Sequence, residues 1–269
     1  MRISRISFGF ALMMLVAHAT LAQQSPSAAS GAAAVPGTNI VTIRGQRQEI
    51  YYHPANGTSL NHKILFVPGD GGWQGWAVTI GKTMAEWGYD VYGLDTKTYL
   101  DGFTSATRLS ESDVTNDFRG LAKWITKRAG EKVTLVGWSE GAGLCVLGAA
   151  GDGNREIFTG LIAFGLGDEN VLGWHWSNNI MSVVKKPKEP TFRAADYMAK
   201  VTPLPLLMIQ STHDQYTSVD EANRLFALAQ EPKRFVLVEG QNHRFDGNHD
   251  EFFRKLREGL SWTTSTSVR

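Results

Sequence analysis

The stretch KVTLVGWSEGAGLCVLGAA, residues 132–150, decides the fold predicted for this chain. Its first six residues form a short run typical of a buried strand, and residues 141–150 are small and apolar, as in a helix packed closely on a sheet. Between them lies Gly137-Trp138-Ser139-Glu140-Gly141, a G-x-S-x-G pentapeptide. Because a sharp strand-to-helix turn exposes its serine above the edge of the sheet, this context predicts that Ser139 is a nucleophile.

The rest of the chain alternates strand and helix patterns around this stretch. Strands are predicted at 40–43, 48–52, 63–67, 89–94, 132–137, 159–164, 204–209 and 235–239, and helices at 77–87, 111–128, 141–150, 219–229 and 251–262. Strands separated by helices imply crossover connections, so we expect one α/β domain, residues 39–269, with a mostly parallel central sheet flanked by helices. Residues 166–202 do not fit the alternation, and their length predicts a cap insertion.

The N-terminal residues 1–22 have the pattern of a secretory signal peptide. Two arginines precede a short apolar run, and small residues end the segment at Ala22. The run is shorter than the ~20 residues that span a bilayer, so we expect cleavage near Ala22 and a periplasmic or secreted protein, rather than an uncleaved anchor helix. Residues 23–38 are rich in Ser, Ala, Gly and Pro and carry no charge, which predicts a flexible linker.

The charge balance and the cysteine count exclude several classes of protein. The chain has 27 Lys and Arg against 26 Asp and Glu, a net charge of +1 that becomes −1 when Arg2 and Arg5 leave with the signal peptide. Such a balance argues against a nucleic-acid partner. A single cysteine makes no internal disulfide and no Cys-rich zinc site, and the seven histidines lack metal-binding spacing. We therefore predict no metal and no cofactor.

The elbow around Ser139 makes the chain resemble the α/β-hydrolase superfamily, which implies an acid and a histidine later in the chain. Asp214 comes just after the strand predicted at 204–209, and His243 just after the last predicted strand. Both loops leave the carboxyl edge of the sheet, where open α/β sheets place their sites. We predict that His243 takes the proton of Ser139 and that Asp214 orients His243. The alternatives for the base are His213 and His249, and those for the acid are Asp220 and Asp246. Their loops or their spacing in the sequence fit these roles less well.

An oxyanion hole needs two backbone N–H donors near the nucleophile. One is predicted at Glu140, the residue after the serine. The other is predicted in the glycine-rich loop PGDGGW, residues 68–73, at Asp70 with Gly71 as the second choice. A phosphate-binding P-loop is the competing interpretation of these glycines, and it fails because no Gly-Lys-Ser/Thr follows.

The segment VPGDGGWQGW, residues 67–76, is similar to the GDGGW motif of the VirJ-type bacterial virulence proteins, a family that includes the AcvB proteins. The segments DVYGLDTKTYL, residues 90–100, and Val171-Leu172-Gly173-Trp174 also resemble that family, so the similarity covers roughly residues 64–260. The resemblance implies an exported α/β-hydrolase that acts on aminoacylated phospholipids such as lysyl-phosphatidylglycerol. It also implies involvement in type IV secretion or virulence.

Substrate contacts are predicted at Trp73, Trp138, Trp174 and Asp168. The acidic residues on loops that could face the site are Asp70, Glu140, Asp168 and Glu169. They would either attract an aminoacyl ammonium or be ordinary solvated charges. In the cap, Trp174 and its neighbours precede Lys185, Lys186 and Lys188. This pattern fits either a peripheral contact with a membrane surface or a lid packed on the sheet.

Together these features predict an exported serine hydrolase that cleaves an ester through an acyl-enzyme on Ser139. An aminoacyl ester and a lipid ester are the two candidate kinds of substrate. Peptidase activity would use the same three side chains. The alternative is a non-catalytic periplasmic binding or secretion-associated virulence protein that uses the hydrolase fold as a scaffold. The expected partner is a small-molecule or lipid ester, and the sequence does not predict an oligomeric state.

Overall fold

The computed structural model describes residues 29–103, 108–173 and 190–267. An eight-stranded sheet runs through this part of the chain, in the order β1-β2-β4-β3-β5-β6-β9-β10. Its strands are β1 (Gly37–Ile43), β2 (Gln46–His53), β3 (Lys63–Val67), β4 (Asp90–Leu94), β5 (Val133–Trp138), β6 (Phe158–Phe164), β9 (Leu206–Ser211) and β10 (Lys233–Val238).

The sheet is parallel from β4 through β10 and antiparallel only where β1 and β2 join it. This confirms the predicted mostly parallel sheet. The strand β5 lies at its centre, with Gly137 opposite Val67 of β3 and Trp138 opposite Phe164 of β6. The carboxyl ends of these three strands therefore meet at one edge, where Ser139 follows β5.

Helices cover both faces of the sheet and enclose two hydrophobic cores. The helices are α1 (Trp76–Glu86), α2 (Thr96–Asp101), α3 (Glu111–Ile125), α4 (Glu140–Ala149), α5 (Asn154–Ile157), α6 (Val219–Leu228) and α7 (His249–Ser267). Buried residues of α1 and α7 join one core, and those of α2, α3, α4 and α6 join the other. None of the described helices combines the length and the hydropathy needed to cross a membrane.

The predicted cap region, residues 166–202, is described only at its two ends. There β7 (Glu169–Val171) and β8 (Thr191–Arg193) form a small antiparallel sheet, and two short 3₁₀ turns follow up to Val201. Residues 174–189, which include the predicted substrate contact Trp174 and the cap lysines, lie outside the described residues. The described part of the insertion thus borders the carboxyl edge of the sheet through β7.

The folded part begins earlier than the predicted boundary at Asn39. Ser30 forms a backbone bridge with Thr42 of β1, with N···O distances of 2.9 and 3.1 Å. The Trp124 indole N–H also donates to the Ala32 carbonyl at 3.0 Å. Because these contacts bind the backbone directly, residues 29–38 follow the domain surface although their composition is that of a linker. The predicted signal peptide, residues 1–22, lies outside the described residues.

Candidate active site

Ser139 stands on the turn between β5 and α4, in a backbone conformation that few residues other than glycine adopt. Its φ is 56° and its ψ is −125°, and its N–H donates to the Phe164 carbonyl at 3.0 Å. The turn is this tight because α4 begins against the end of β3: a Cβ at Gly141 would lie 2.1 Å from the Val67 carbonyl oxygen. Backbone strain of this kind is found at functional sites, where it holds a side chain in position.

Asp214 and His243, which come from separate loops, meet at the same edge. His243 Nδ1 lies 2.6 Å from Asp214 Oδ2, and the two side chains are 6% and 0% exposed. The other carboxylate oxygen of Asp214 accepts the N–H groups of Tyr216 at 2.8 Å and Thr217 at 3.1 Å. Gln210 Nε2 donates to Oδ2 at 3.1 Å. The carboxylate is therefore held in one orientation toward the imidazole.

The pKa of Asp214 lies below its usual value. Burial acts in the opposite direction and raises this pKa, but the hydrogen bond and charge interaction with His243 and the N–H groups of Tyr216 and Thr217 lower it more. Asp214 is consequently ionised at neutral pH, and an ionised carboxylate accepts the Nδ1 proton of His243. That tautomer leaves Nε2 of the neutral ring as a proton acceptor.

Aromatic rings and one glycine surround the His243 imidazole. It stacks on Trp138 at a centroid distance of 5.7 Å and meets the Tyr216 ring edge to face at 5.1 Å. On another side it lies against Gly165, where a Cβ would come within 2.4 Å of His243 Cε1. His243 Nε2 is buried and forms no hydrogen bond with any described residue. The ring is thus fixed in place with one nitrogen uncommitted, in the cavity that Ser139 also lines.

Gly165 is expected to be essential for the position of His243. Its φ of +59° already disfavours a side chain, and a methyl group there would push the imidazole away from Asp214. Because a misplacement of about 1 Å costs on the order of 100-fold in rate, Gly165→Ala should lower kcat for an activated ester by at least ~100-fold.

Gly45→Ala is the matched control, because Gly45 also has a positive φ, +75°, but has open space around its Cβ position. Both variants should lose stability by roughly 1–2 kcal/mol in thermal unfolding, and only Gly165→Ala should lose kcat. Equal rates in the two variants would contradict the role given to Gly165.

The glycine-rich loop places Asp70 and Gly71 beside the serine. Gly72 N–H donates to the Gly69 carbonyl at 3.0 Å, which closes a tight turn with Asp70 and Gly71 at its tip. A Cβ on Gly69 would lie 3.1 Å from Ser139 Cβ, so the loop contacts Ser139 directly. Glu140 opens α4, where backbone N–H groups carry the positive end of the helix dipole. The three residues predicted to supply the oxyanion donors therefore line the same cavity as Ser139.

A cavity of about 880 Å³ joins these groups. Its lining includes Trp138 and Asp168, two of the predicted substrate contacts, and the carboxylates of Asp70, Glu140, Asp168, Glu169, Glu221 and Asp246. Arg244 is the one arginine in the described lining, which has no lysine. The wall around the site is thus predominantly acidic.

Trp73, another predicted substrate contact, does not line this cavity. Its ring stacks on Tyr51 at 5.2 Å and lies so close to Gly93 that a Cβ there would be 1.9 Å from it. The residue packs over β2 and β4 because glycine at position 93 leaves a flat surface for the indole. The structure thus differs from the prediction: the Trp73 ring packs on the sheet and is not part of the described cavity lining.

The weaker alternatives for the acid and the base have other partners. His213 Nδ1 lies 3.0 Å from the Gly240 carbonyl oxygen, and His249 begins α7 with Nε2 3.1 Å from Asp246 Oδ1. Asp220 is in the first turn of α6. Within the described ranges no group of three His, Cys, Asp or Glu side chains is arranged to hold a metal ion.

Several residues that shape the site were not predicted from the sequence. Gly165 follows the strand predicted at 159–164 and is one of 28 glycines, so nothing local distinguishes it. Asp95 follows β4 and accepts the Trp73 N–H at 2.9 Å. Gln215 Oε1 accepts the His243 N–H at 3.1 Å. The one signal in the sequence was Asp95, directly after a strand, because an aspartate in such a place often caps a helix that follows.

Part of the chain matches a known protein family. The family model described as bacterial virulence protein (VirJ) matches residues 61–152, which include the glycine-rich loop and the elbow. The uncharacterized protein YfhR of Escherichia coli O157:H7 is 28% identical over 128 residues, 46% of this chain and 43% of that protein. YfhR of strain K12 matches to the same extent. The chain thus spans less than half the length of these curated relatives.

Solved structures cover more of the chain. Est1E from Butyrivibrio proteoclasticus has a TM-score of 0.62 and 15% identity, and covers 85% of this chain and 99% of its own. An α/β serine hydrolase homologue from Coxiella burnetii has a TM-score of 0.61 and 14% identity, over 84% and 99%. The esterase domain of a Rhodothermus marinus protein has a TM-score of 0.55 and 20% identity, over 82% and 94%. This chain is therefore an α/β-hydrolase in fold, and its residues 61–152 resemble the VirJ proteins.

Proposed function

We propose that this protein is an exported serine hydrolase that cleaves an ester through an acyl-enzyme on Ser139. The observation that carries the proposal is the 2.6 Å contact between His243 Nδ1 and Asp214 Oδ2, in the cavity that the strained Ser139 also lines. The ester-hydrolase scaffold of the structural neighbours supports it. A binding scaffold has no need for an oriented imidazole and a half-buried serine in one cavity.

In the acylation step, Ser139 Oγ attacks the ester carbonyl carbon while its proton passes to His243 Nε2. The imidazolium that forms is stabilised by the ionised Asp214. The carbonyl oxygen becomes an oxyanion, which accepts hydrogen bonds from the N–H groups of Glu140 and Asp70, with Gly71 as the alternative to Asp70. Collapse of this intermediate breaks the ester C–O bond, and the alcohol leaves with the proton from Nε2.

In the deacylation step, water replaces the alcohol. His243 Nε2 takes a proton from the water as its oxygen attacks the acyl carbon, and the same N–H groups hold the second oxyanion. The intermediate then releases the carboxylic acid as Ser139 Oγ regains its proton from the imidazolium. The ester and one water are thus converted to an acid and an alcohol, and the protein returns to its starting state.

The proposal is tested by intact mass measurement on protein recovered from the periplasm of a Gram-negative host. A fluorophosphonate probe should add one phosphonyl group to the mature chain, on Ser139, and should not label Ser139→Ala. The mature mass should correspond to a chain that begins at Gln23.

The two parts of this result are independent. An unlabelled, folded wild-type protein would contradict the serine-hydrolase proposal and favour the binding-scaffold alternative, above all if Ser139→Ala kept the full biological effect. A mass that includes residues 1–22, or protein found only in the cytoplasm, would contradict the proposed export.

For the substrate, we propose an ester whose acyl group carries a positive charge, such as an aminoacyl ester. Among the acids that line the cavity, four already have partners. Glu140 Oε1 accepts the Val171 N–H at 2.7 Å, and Asp168 pairs with Arg193 at 2.6 Å. Glu221 Oε1 accepts the Asp168 N–H at 3.0 Å, and Asp246 Oδ1 lies 3.1 Å from His249 Nε2. The other two acids of the lining, Asp70 and Glu169, have exposed side chains. Carboxylates at the mouth of a cavity attract a cationic substrate over long range.

We therefore expect a lysyl ester to be hydrolysed with a higher kcat/KM than a neutral acyl ester of equal length. Glu169→Gln should lower kcat/KM for the lysyl ester by about 2–5-fold and leave the neutral ester unchanged, since an exposed charge interaction is worth up to ~1 kcal/mol. Salt should reduce the preference. Glu86→Gln, an exposed acid on α1 outside the cavity, is the control. An equal loss for both esters would contradict the electrostatic role.

A further inference from the structure

We propose that Asp95 and Thr96 are positioning residues that hold the oxyanion loop, Pro68–Trp73, in the shape required for catalysis. Both residues follow β4, the strand paired with β3 on the side away from β5. Neither lines the cavity, so their effect on the reaction would pass through the loop. The inference rests on the proposed serine-hydrolase function and extends it to two side chains behind the site.

Asp95 binds the end of the loop with one carboxylate oxygen and its own helix with the other. Oδ2 accepts the Trp73 N–H at 2.9 Å, and Oδ1 accepts the Thr98 N–H at 2.8 Å as the N-cap of α2. The carboxylate lies so close to Gly72 that a Cβ there would be 2.6 Å from Oδ1. The end of the loop is therefore held against the start of α2.

Thr96 binds the beginning of the same loop. Its hydroxyl donates to the Pro68 carbonyl oxygen at 2.6 Å, and the side chain is fully buried. Proline has no backbone N–H to donate, so Pro68 contacts the segment after β4 through its carbonyl oxygen. Two adjacent side chains thus hold the loop at both of its ends.

Between these anchors few hydrogen bonds fix the shape of the loop. It contains glycine at positions 69, 71 and 72, which adds backbone freedom. Within the loop Gly72 N–H donates to the Gly69 carbonyl, and the Gln74 side-chain amide donates to the Gly71 carbonyl at 2.8 Å. Since an oxyanion is stabilised only by donors already in place before the charge develops, the anchors would determine how well the Asp70 and Gly71 N–H groups serve.

The competing explanation is that Asp95 only caps α2. Asparagine separates the two roles, because it keeps one acceptor oxygen for the Thr98 N–H, as a good N-cap does. Its amide group, however, would present a donor to the Trp73 N–H. Asp95→Asn should therefore preserve α2 and release the end of the oxyanion loop. For Thr96, valine removes the hydroxyl without changing the shape, and serine keeps the hydroxyl.

The experiment measures kcat, KM and boronic-acid affinity of the mature protein with an activated ester. Asp95→Asn and Thr96→Val should each lower kcat by about 10–100-fold, below the ~100–1000-fold cost of losing an oxyanion donor, while KM changes by less than ~3-fold. The affinity for the boronic acid, whose tetrahedral adduct mimics the transition state, should fall in parallel with kcat. Thr96→Ser should restore most of the rate.

Ser110→Ala is the matched control, because Ser110 caps α3 by accepting the Asp113 N–H at 3.2 Å and does not line the cavity. It should lower the thermal midpoint without changing kcat. If Asp95→Asn does not fold, the pair Thr96→Val and Thr96→Ser still decides the question.

The outcomes separate this inference from the function on which it rests. Wild-type protein that neither reacts with a fluorophosphonate nor cleaves esters would overturn the proposed function together with this inference. An active wild-type protein whose Asp95→Asn and Thr96→Val variants keep the wild-type kcat and boronic-acid affinity would overturn this inference alone. A rate loss in Thr96→Val that Thr96→Ser does not repair would also overturn it.

Discussion

Replacement of Ser139 by alanine is expected to lower kcat for an activated ester by about 10⁶-fold, the loss typical of removing the nucleophile from a serine hydrolase. The other hydroxyl groups in the described lining belong to Tyr216 and Thr217, which follow Asp214 and are not on the strained turn that carries Ser139. The N–H donors remain, so a residual rate of about 10³–10⁴-fold above that of water should persist.

The fold should survive this substitution. Ser139 Oγ makes no hydrogen bond on which a neighbouring element depends, among the described residues. The thermal midpoint of Ser139→Ala should therefore stay close to that of the wild type. Ser218→Ala, which removes the exposed cap of α6, is a control that should keep full activity. More than about 1% of the wild-type kcat in Ser139→Ala would rule out the acyl-enzyme.

Asp214→Asn is expected to lower kcat by about 10⁴-fold. An asparagine can keep the N–H contacts of Tyr216 and Thr217 through its oxygen, which leaves an NH₂ group against His243 Nδ1 and Gln210. The imidazole would then have to accept at Nδ1 and carry its proton on Nε2. With a proton on Nε2 it cannot act as the base for Ser139.

The measurement is kcat at neutral pH together with thermal unfolding. Asp220→Asn, an exposed acid in the first turn of α6, is the control and should keep wild-type kcat. A loss below tenfold in folded Asp214→Asn would mean that Asp214 does not set the tautomer of His243. It would direct attention to the other acid on the histidine loop, Asp246, which contacts His249.

Most of the strands and helices could be predicted because their signals are local. The apolar stripe that predicts α3 can be read from residues 111–125 without any other part of the chain. The capping box of this helix, Ser110 with Asp113, lies within four residues. The helix α2 escaped prediction because six residues are too few for a helical stripe to be recognised. Its one clear signal, the N-cap Asp95, lies at the end of a strand.

The three principal site residues could be placed from sequence for a topological reason. The carboxyl ends of parallel strands share one edge, so loops after β5, β9 and β10 come together whatever their sequences are. The pentapeptide identified one loop, and the strand pattern identified the other two. Strand order does not say which way a side chain on a loop points, and the Trp73 ring packs against Tyr51 and Gly93 instead of lining the cavity.

By itself, then, the sequence determined which segments form strands and helices, the mostly parallel order that follows from crossovers, and the edge at which Ser139, Asp214 and His243 lie. Only the tertiary structure decided which residues support them. Gly165 matters because His243, 78 positions later, lies on it, and Asp95 matters because β4 pairs with β3. Such contacts join residues far apart in the chain. They depend on van der Waals and hydrogen-bond distances that no local periodicity encodes.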